Sequence, residues 1–200
     1  MSPKSGELSR RNLFHVLPAA ACACAAVPIC NAQTVTGGKS WSEPTGMSWQ
    51  DTFRFAFQKD YIPLMKGLAE RIGPEKFVQL IKETMDDVVR QKSARGPARP
   101  FDFAQMVAGM RNPPPFIQHT LKAEIVEDTP TAFGYKVTEC LWAKTFRESN
   151  AAEIGYACIC HPDFAIARGL SPKLTLTRTK TLMQGQDCCQ FRYSFDETAG

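Results

Sequence analysis

The stretch Lys173-Leu174-Thr175-Leu176-Thr177-Arg178-Thr179-Lys180-Thr181-Leu182-Met183, followed by Gln184-Gly185-Gln186-Asp187 and Cys188-Cys189-Gln190-Phe191-Arg192-Tyr193-Ser194-Phe195, decides the fold. Successive side chains of a strand point to opposite faces. Leu174, Leu176, Arg178, Lys180 and Leu182 therefore share one face, and Thr175, Thr177, Thr179 and Thr181 the other. In the second half Cys189, Phe191, Tyr193 and Phe195 align against Cys188, Gln190, Arg192 and Ser194. A four-residue turn at Gln184–Asp187 pairs Leu182 with Cys189 and Arg178 with Tyr193, so that the apolar faces coincide. This hairpin sends Cys189 inward and Cys188 outward. It also puts Arg178 on the inward face, where an unpaired cation is costly. Arg178 therefore requires an anion, either an internal carboxylate such as Asp163 or a bound one.

Working back from this hairpin, Leu121, Ala123 and Ile125 alternate, Asp128-Thr129-Pro130 turns, and Phe133, Tyr135 and Val137 alternate again, which predicts a second hairpin. Between the two, Cys140–Glu148 reads as a helix. Asn150-Ala151-Ala152-Glu153 starts another, which carries Cys158 and Cys160, is interrupted at Pro162 and ends at Gly169. Upstream, Ser48-Trp49-Gln50-Asp51 resembles a capping box. Phe53, Phe57, Tyr61, Leu64, Leu68 and Ile72 then recur at helical spacing, with a kink or split expected at Pro63. Gly73-Pro74-Glu75 opens a helix with Phe77, Leu80, Ile81, Thr84, Met85 and Val88 on one face. A loop spans Ser93–Pro100, and Phe103, Met106, Val107 and Met110 make a third helix closed by Pro113-Pro114-Pro115. The expected class is α+β: N-terminal helices followed by an antiparallel sheet of about four strands, with helices inserted between two hairpins.

The remainder of the chain is organised around this domain, taken as residues 47–200. Ser9-Arg10-Arg11-Asn12-Leu13-Phe14 precedes an Ala-rich stretch ending Cys30-Asn31-Ala32, which matches a twin-arginine export signal over residues 1–32. Residues 33–46, rich in Gly, Ser, Thr and Pro, read as a linker. The expectation is a periplasmic or exported protein that meets the twin-arginine machinery, a cytoplasmic location being the alternative. Two prolines break the weakly charged run Asn12–Ala32, so no stable membrane span is expected. The chain carries 24 Lys+Arg against 20 Asp+Glu, with 44% hydrophobic residues. That balance leaves no electrostatic footprint for nucleic acid, and the composition excludes a disordered chain.

Of 8 cysteines, Cys22, Cys24 and Cys30 fall in the export segment; Cys140, Cys158, Cys160, Cys188 and Cys189 all lie in the C-terminal third. Cys140 stands at a strand-to-helix corner and Cys158-Ile159-Cys160-His161-Pro162-Asp163 at a helix break. Thiolates, an imidazole and a carboxylate are the ligand set of zinc or another divalent metal, although no Cys-x2-Cys pair is present. Buried free thiols acting as small apolar side chains are the plain alternative. His161 is read as a general acid/base, a ligand or a capping residue, and His119 as a surface residue.

Val137-Thr138-Glu139-Cys140, Gly155 to Cys160 with Asp163 following, Arg178 to Gly185, and Cys189-Gln190-Phe191-Arg192 together resemble the L-2-amino-thiazoline-4-carboxylic acid hydrolase family, over about residues 50 to 196. A looser resemblance links the layout to the 4-vinyl reductase type of small-ligand domain. The first resemblance implies opening of a cyclic amidine to an N-carbamoyl-cysteine, with Cys140, Cys160, Asp163 and Cys189 forming one site. The nucleophile is either a thiolate at Cys140, Cys160 or Cys189, or water on a metal held by those three. Asp163 or His161 moves the proton, and Arg178 is the candidate clamp for the substrate carboxylate. Asp163 cannot be both the buried partner of Arg178 and a free base. Two other readings stay open: an exported, non-catalytic metal- or small-ligand-binding domain, and a structural Cys160–Cys189 disulfide.

Overall fold

The computed structural model describes residues 46–94, 100–196 and 198. The proposed export signal and linker lie outside the described residues, apart from Gly46. The described chain runs α1 (Trp49–Phe53), a π turn (Arg54–Gln58), α2 (Tyr61–Ile72), α3 (Pro74–Ala94), α4 (Phe103–Arg111) and α5 (Pro115–Thr120). Then come β1 (Leu121–Asp128), β2 (Ala132–Cys140), α6 (Leu141–Glu148), α7 (Ala152–Gly155), a second π turn (Tyr156–Cys160), α8 (Pro162–Leu170), β3 (Leu174–Arg178), a 3-10 turn (Leu182–Gln184) and β4 (Cys189–Phe195). The fold is α+β, with helices first and a four-stranded antiparallel sheet of order β1-β2-β4-β3 after them. No helix among the described residues is long and apolar enough to cross a membrane.

Local chemistry accounts for most boundaries. Ser48 Oγ accepts from the Asp51 N–H and caps α1. Pro63 does not kink a helix: the break falls earlier, at Lys59 and Asp60, and Pro63 occupies the third position of α2, where its missing N–H would have no intrahelical partner. Gly73 adopts φ 98°, a conformation that favours glycine, and so separates α2 from α3. Helix α3 runs past Ser93 to Ala94, two residues into the expected loop. The triple proline does not simply close α4. Pro115 is the first residue of α5, where a fixed φ suits a helix start.

The two hairpins differ. Strands β1 and β2 meet at the expected turn, and β1 is an edge strand whose Lys122, Glu124, Glu127 and Asp128 discourage further pairing. The second hairpin is two residues out of the expected register, with Arg178 opposite Phe191 rather than Tyr193. β3 stops at Arg178 because Thr179–Cys188 forms a longer connection containing the 3-10 turn. That turn is capped by Thr181 Oγ1, which accepts from the Met183 N–H, and it ends at Gly185 with φ 91°. A shift of two keeps every side chain on its face, so Arg178 and Cys189 still point inward. Cys188 does not point outward. It precedes β4 in this connection and is 3% exposed.

Two apolar clusters fill the interior. One gathers Ile62, Ala69, Phe77, Ala143, Phe146, Ile154 and Met183 between the N-terminal helices, α6, α7 and the 3-10 turn. The other gathers Phe103, Val107, Phe133, Ala167, Leu174, Leu176 and Tyr193 between the sheet, α4 and α8. Burying a side chain such as Phe146 or Phe133 contributes roughly 2–3 kcal/mol. Gly155 is where the first cluster is tightest: a Cβ there would lie 2.7 Å from both the Phe146 ring and Met183 Sδ. The candidate site occupies the seam between the clusters.

Candidate functional site

Arg178 ends β3 on the inward face, and its side chain is 2% exposed. Nη1 donates to Asp163 Oδ2 at 2.6 Å and Nη2 to the Cys160 carbonyl at 2.7 Å. The guanidinium carbon lies 4.8 Å from the Phe164 ring centre, 5.0 Å from Phe191 and 5.8 Å from Tyr156. A carboxylate, a carbonyl and three π faces thus compensate one buried cation. The anion that the sequence required is the internal one, Asp163, in the first turn of α8. A substrate carboxylate could reach Arg178 only by displacing it. Burial pushes the Asp163 carboxyl up while the Arg178 charge pulls it down, and burial prevails. Asp163 keeps 32% of its side chain exposed, so it remains within reach of water.

Cys140 ends β2 and caps α6. Its Sγ accepts from the Ala143 N–H at 3.4 Å. Cys160 ends the second π turn. Cys189 starts β4, where its Sγ accepts from the Leu182 N–H at 3.2 Å and donates toward Thr181 Oγ1 at 3.7 Å. Cys140, Cys160, Cys189 and Asp163 interact electrostatically, so the structure brings the expected quartet into one neighbourhood. Burial keeps the Cys140 and Cys160 thiols protonated there. Burial pushes Cys140 up to about 11 against the helix-end N–H groups, and Cys160 up to about 12 against the Arg178 charge.

All five described cysteines are free, so the Cys160–Cys189 bridge is not formed. Among the described residues no group of three or more His, Cys, Asp or Glu is placed to hold a metal ion, so Cys140, Cys160 and Cys189 do not fit the expected zinc or other divalent site. His161 faces away from the quartet, with Nε2 at 3.1 Å from Asp86 Oδ1 on α3. Cys158 meets the Tyr61 hydroxyl at 3.5 Å on the helical side. His119 is exposed, as expected, and stacks on Trp49 at 5.1 Å.

Sequence reasoning missed the tyrosines. Tyr135 and Tyr193 lie 6.4 Å apart between ring centres, and Tyr135 stacks on Phe191 at 4.7 Å. Burial raises both hydroxyls, Tyr193 to about 12, and the Asp163 charge adds to each shift. The signal was available, because Tyr193 shares the inward face of β4 with Phe191. What the strand pattern lacked was the pairing of β2 with β4, which sets Tyr135 opposite Phe191.

A cavity of about 760 Å³ opens where β1 and β2 meet α5 and α6. Of the candidate site residues, Cys140 lines it, beside Leu182, whose N–H holds Cys189. Trp49, His119, and Lys144 and Arg147 of α6 also line it.

The family model described as L-2-amino-thiazoline-4-carboxylic acid hydrolase matches residues 53–193 of this chain. No curated protein matches it by sequence. Among solved structures, the chain is similar to the phenol-responsive sensory domain of the transcription activator PoxR with phenol, at 14% identity and a TM-score of 0.39, covering 66% of this chain and 71% of that one.

Proposed function

Because the chain belongs to the L-2-amino-thiazoline-4-carboxylic acid hydrolase family, we propose that it opens a small cyclic amidine that carries a carboxylate, with Cys140 as nucleophile. The observation that carries this reading is the cavity whose lining includes Cys140 at the start of α6, a thiol that interacts electrostatically with Cys160, Cys189 and Asp163, which do not line the cavity. A thiol held at about 11 is a poor resting nucleophile, so its proton must leave once substrate is seated. The amidine nitrogen of the ring accepts it, which leaves an amidinium beside a thiolate that the α6 N–H groups stabilise.

Cys140 Sγ then bonds to the ring carbon between nitrogen and sulfur. The ring C–S bond breaks, and its electron pair stays on the departing sulfur, which becomes a thiol by taking from the amidinium nitrogen the proton that Cys140 gave up. Water next adds to the same carbon, gives one proton to the neighbouring amidine nitrogen, and expels Cys140 Sγ, which takes up the second proton of the water as the carbonyl forms. The net change is one water consumed and an N-carbamoyl-cysteine released. Arg178 serves by holding Asp163 and the Cys160 carbonyl in place.

The protein lacking residues 1–32, incubated with L-2-amino-thiazoline-4-carboxylate, tests this directly. Product formation by the native protein and its loss in Cys140→Ala are expected; a wild-type rate in Cys140→Ala would sink the assignment. One observation favours a second reading, an exported binding domain without catalysis: burial keeps the Cys140 and Cys160 thiols protonated. Tight binding of the amidine with no product would select it.

A further inference from the structure

The proposed substrate carries a carboxylate, and Arg178, turned inward onto Asp163, is not free to bind it. Residues four apart share a helix face, and residues seven apart nearly so. Cys140, Lys144 and Arg147 stand in this relation along α6, and all three line the same cavity. Lys144 Nζ approaches Gln50 Oε1 of α1 at 3.4 Å, and Arg147 Nη1 donates to the Leu182 carbonyl at 3.4 Å. Each cation is thus tethered by one neutral oxygen and keeps other N–H donors.

Among the described residues neither Lys144 nor Arg147 forms an ion pair with a carboxylate. The third cation of the cavity, Lys122, is already paired with Glu139 at 2.6 Å. Four residues of helix advance about 6 Å along the axis; a five-membered ring acid spans about 4 Å from its reacting carbon to its carboxylate, and the length of the Lys144 and Arg147 side chains takes up the difference. An anion resting on Lys144 and Arg147 would therefore place the electrophilic end of a small molecule at Cys140.

We propose that Lys144 and Arg147 form the anion clamp of this cavity and select small carboxylates for presentation to the Cys140 thiol. The inference deepens the hydrolase reading and rests on it for the identity of the substrate. The clamp itself can be tested without turnover. Iodoacetate and iodoacetamide alkylate the same thiolate and differ in the carboxylate, so their rate ratio at Cys140 reads the clamp and cancels the thiol pKa.

Peptide mapping of the alkylated protein lacking residues 1–32 gives this ratio, with the urea-unfolded chain as reference. In the native protein the ratio at Cys140 is expected to exceed the unfolded value by ~10-fold and to fall toward it in 1 M salt. In Lys144→Gln/Arg147→Gln, which alters exposed side chains, it should drop to the unfolded value. An equal ratio in the native protein and the double variant would overturn the clamp. A preserved preference for iodoacetate with no turnover of the cyclic amidine would support the clamp and count against the hydrolase reading alone.

Discussion

Replacing Asp163 by Asn separates the two halves of the buried ion pair. The Arg178 side chain is 2% exposed, so its charge cannot escape to water when its carboxylate is removed. Breaking a buried pair in this way costs about 3–5 kcal/mol. The Cys160 carbonyl at 2.7 Å and the Phe164, Phe191 and Tyr156 rings remain, and the new amide oxygen can still accept a hydrogen bond, so the loss should settle near 2–4 kcal/mol. Arg178→Met is the informative counterpart. Asp163, 32% exposed, can then hydrate, and Met fills the space between three rings, so the cost should be nearer 1–2 kcal/mol, chiefly from the unpaired Cys160 carbonyl. The double variant should be more stable than Asp163→Asn alone, because no buried charge is left over. Urea unfolding at pH 7.5 reads all three, and for a chain of this size 1 kcal/mol corresponds to about 2–4 °C in Tm. Arg178→Met proving worse than Asp163→Asn, or a double variant as unstable as the sum of the singles, would refute the account of a cation held chiefly by Asp163.

Other expectations concern packing and protonation. Gly155→Ala forces a methyl against Phe146 and Met183 and should lower stability by about 1–3 kcal/mol, seen as a fall in Tm. Pro63→Ala should change the urea midpoint little, since Pro63 sits in the first turn of α2 and kinks nothing; a clear gain in stability would show a strained helix instead. Burial raises Cys140 from its ordinary 9.0 to about 11 and Cys160 to about 12, so the native state holds these protons more tightly than the unfolded chain. Their contribution is fully present below pH 9 and is lost as pH rises through 11 and 12. The native protein should therefore lose roughly 2 kcal/mol between pH 8.5 and 11, allowing for partial exposure, and Cys140→Ala/Cys160→Ala should flatten that fall in urea titrations.

How much of this was legible depended on whether a pattern is local. Strand alternation placed Arg178, Cys189, Phe191 and Tyr193 on one face, and that survived a register error of two residues because the side-chain period is two. Cys188 was misplaced for the same reason in reverse: alternation says nothing about a residue that leaves the strand, and the 3-10 turn that carries the chain away was hidden behind a plausible four-residue turn. The demand of Arg178 for an anion was readable from the cost of burying a cation. That Asp163 met it required the second π turn to bring α8 beneath β3. His161 looked like part of the thiol group because it is adjacent to Cys160 in sequence, yet neighbouring residues on a helical turn point about 100° apart, and His161 faces Asp86 on α3. The cavity depends on α5, α6 and the first hairpin together, so no single stretch of sequence announced it.

The second π turn has a further consequence. A π turn amounts to one residue inserted into an α-helix, and here it lies between α7, which faces one apolar cluster, and α8, which reaches the other. It works as a phase corrector. Removing one residue from Tyr156–Cys160 would restore a regular helix but rotate α8 by about 100° relative to α7. Ala167 would then leave its cluster, and the Cys160 carbonyl and Asp163 would swing away from Arg178. The length of this segment should therefore tolerate a single deletion far less well than its side chains tolerate substitution.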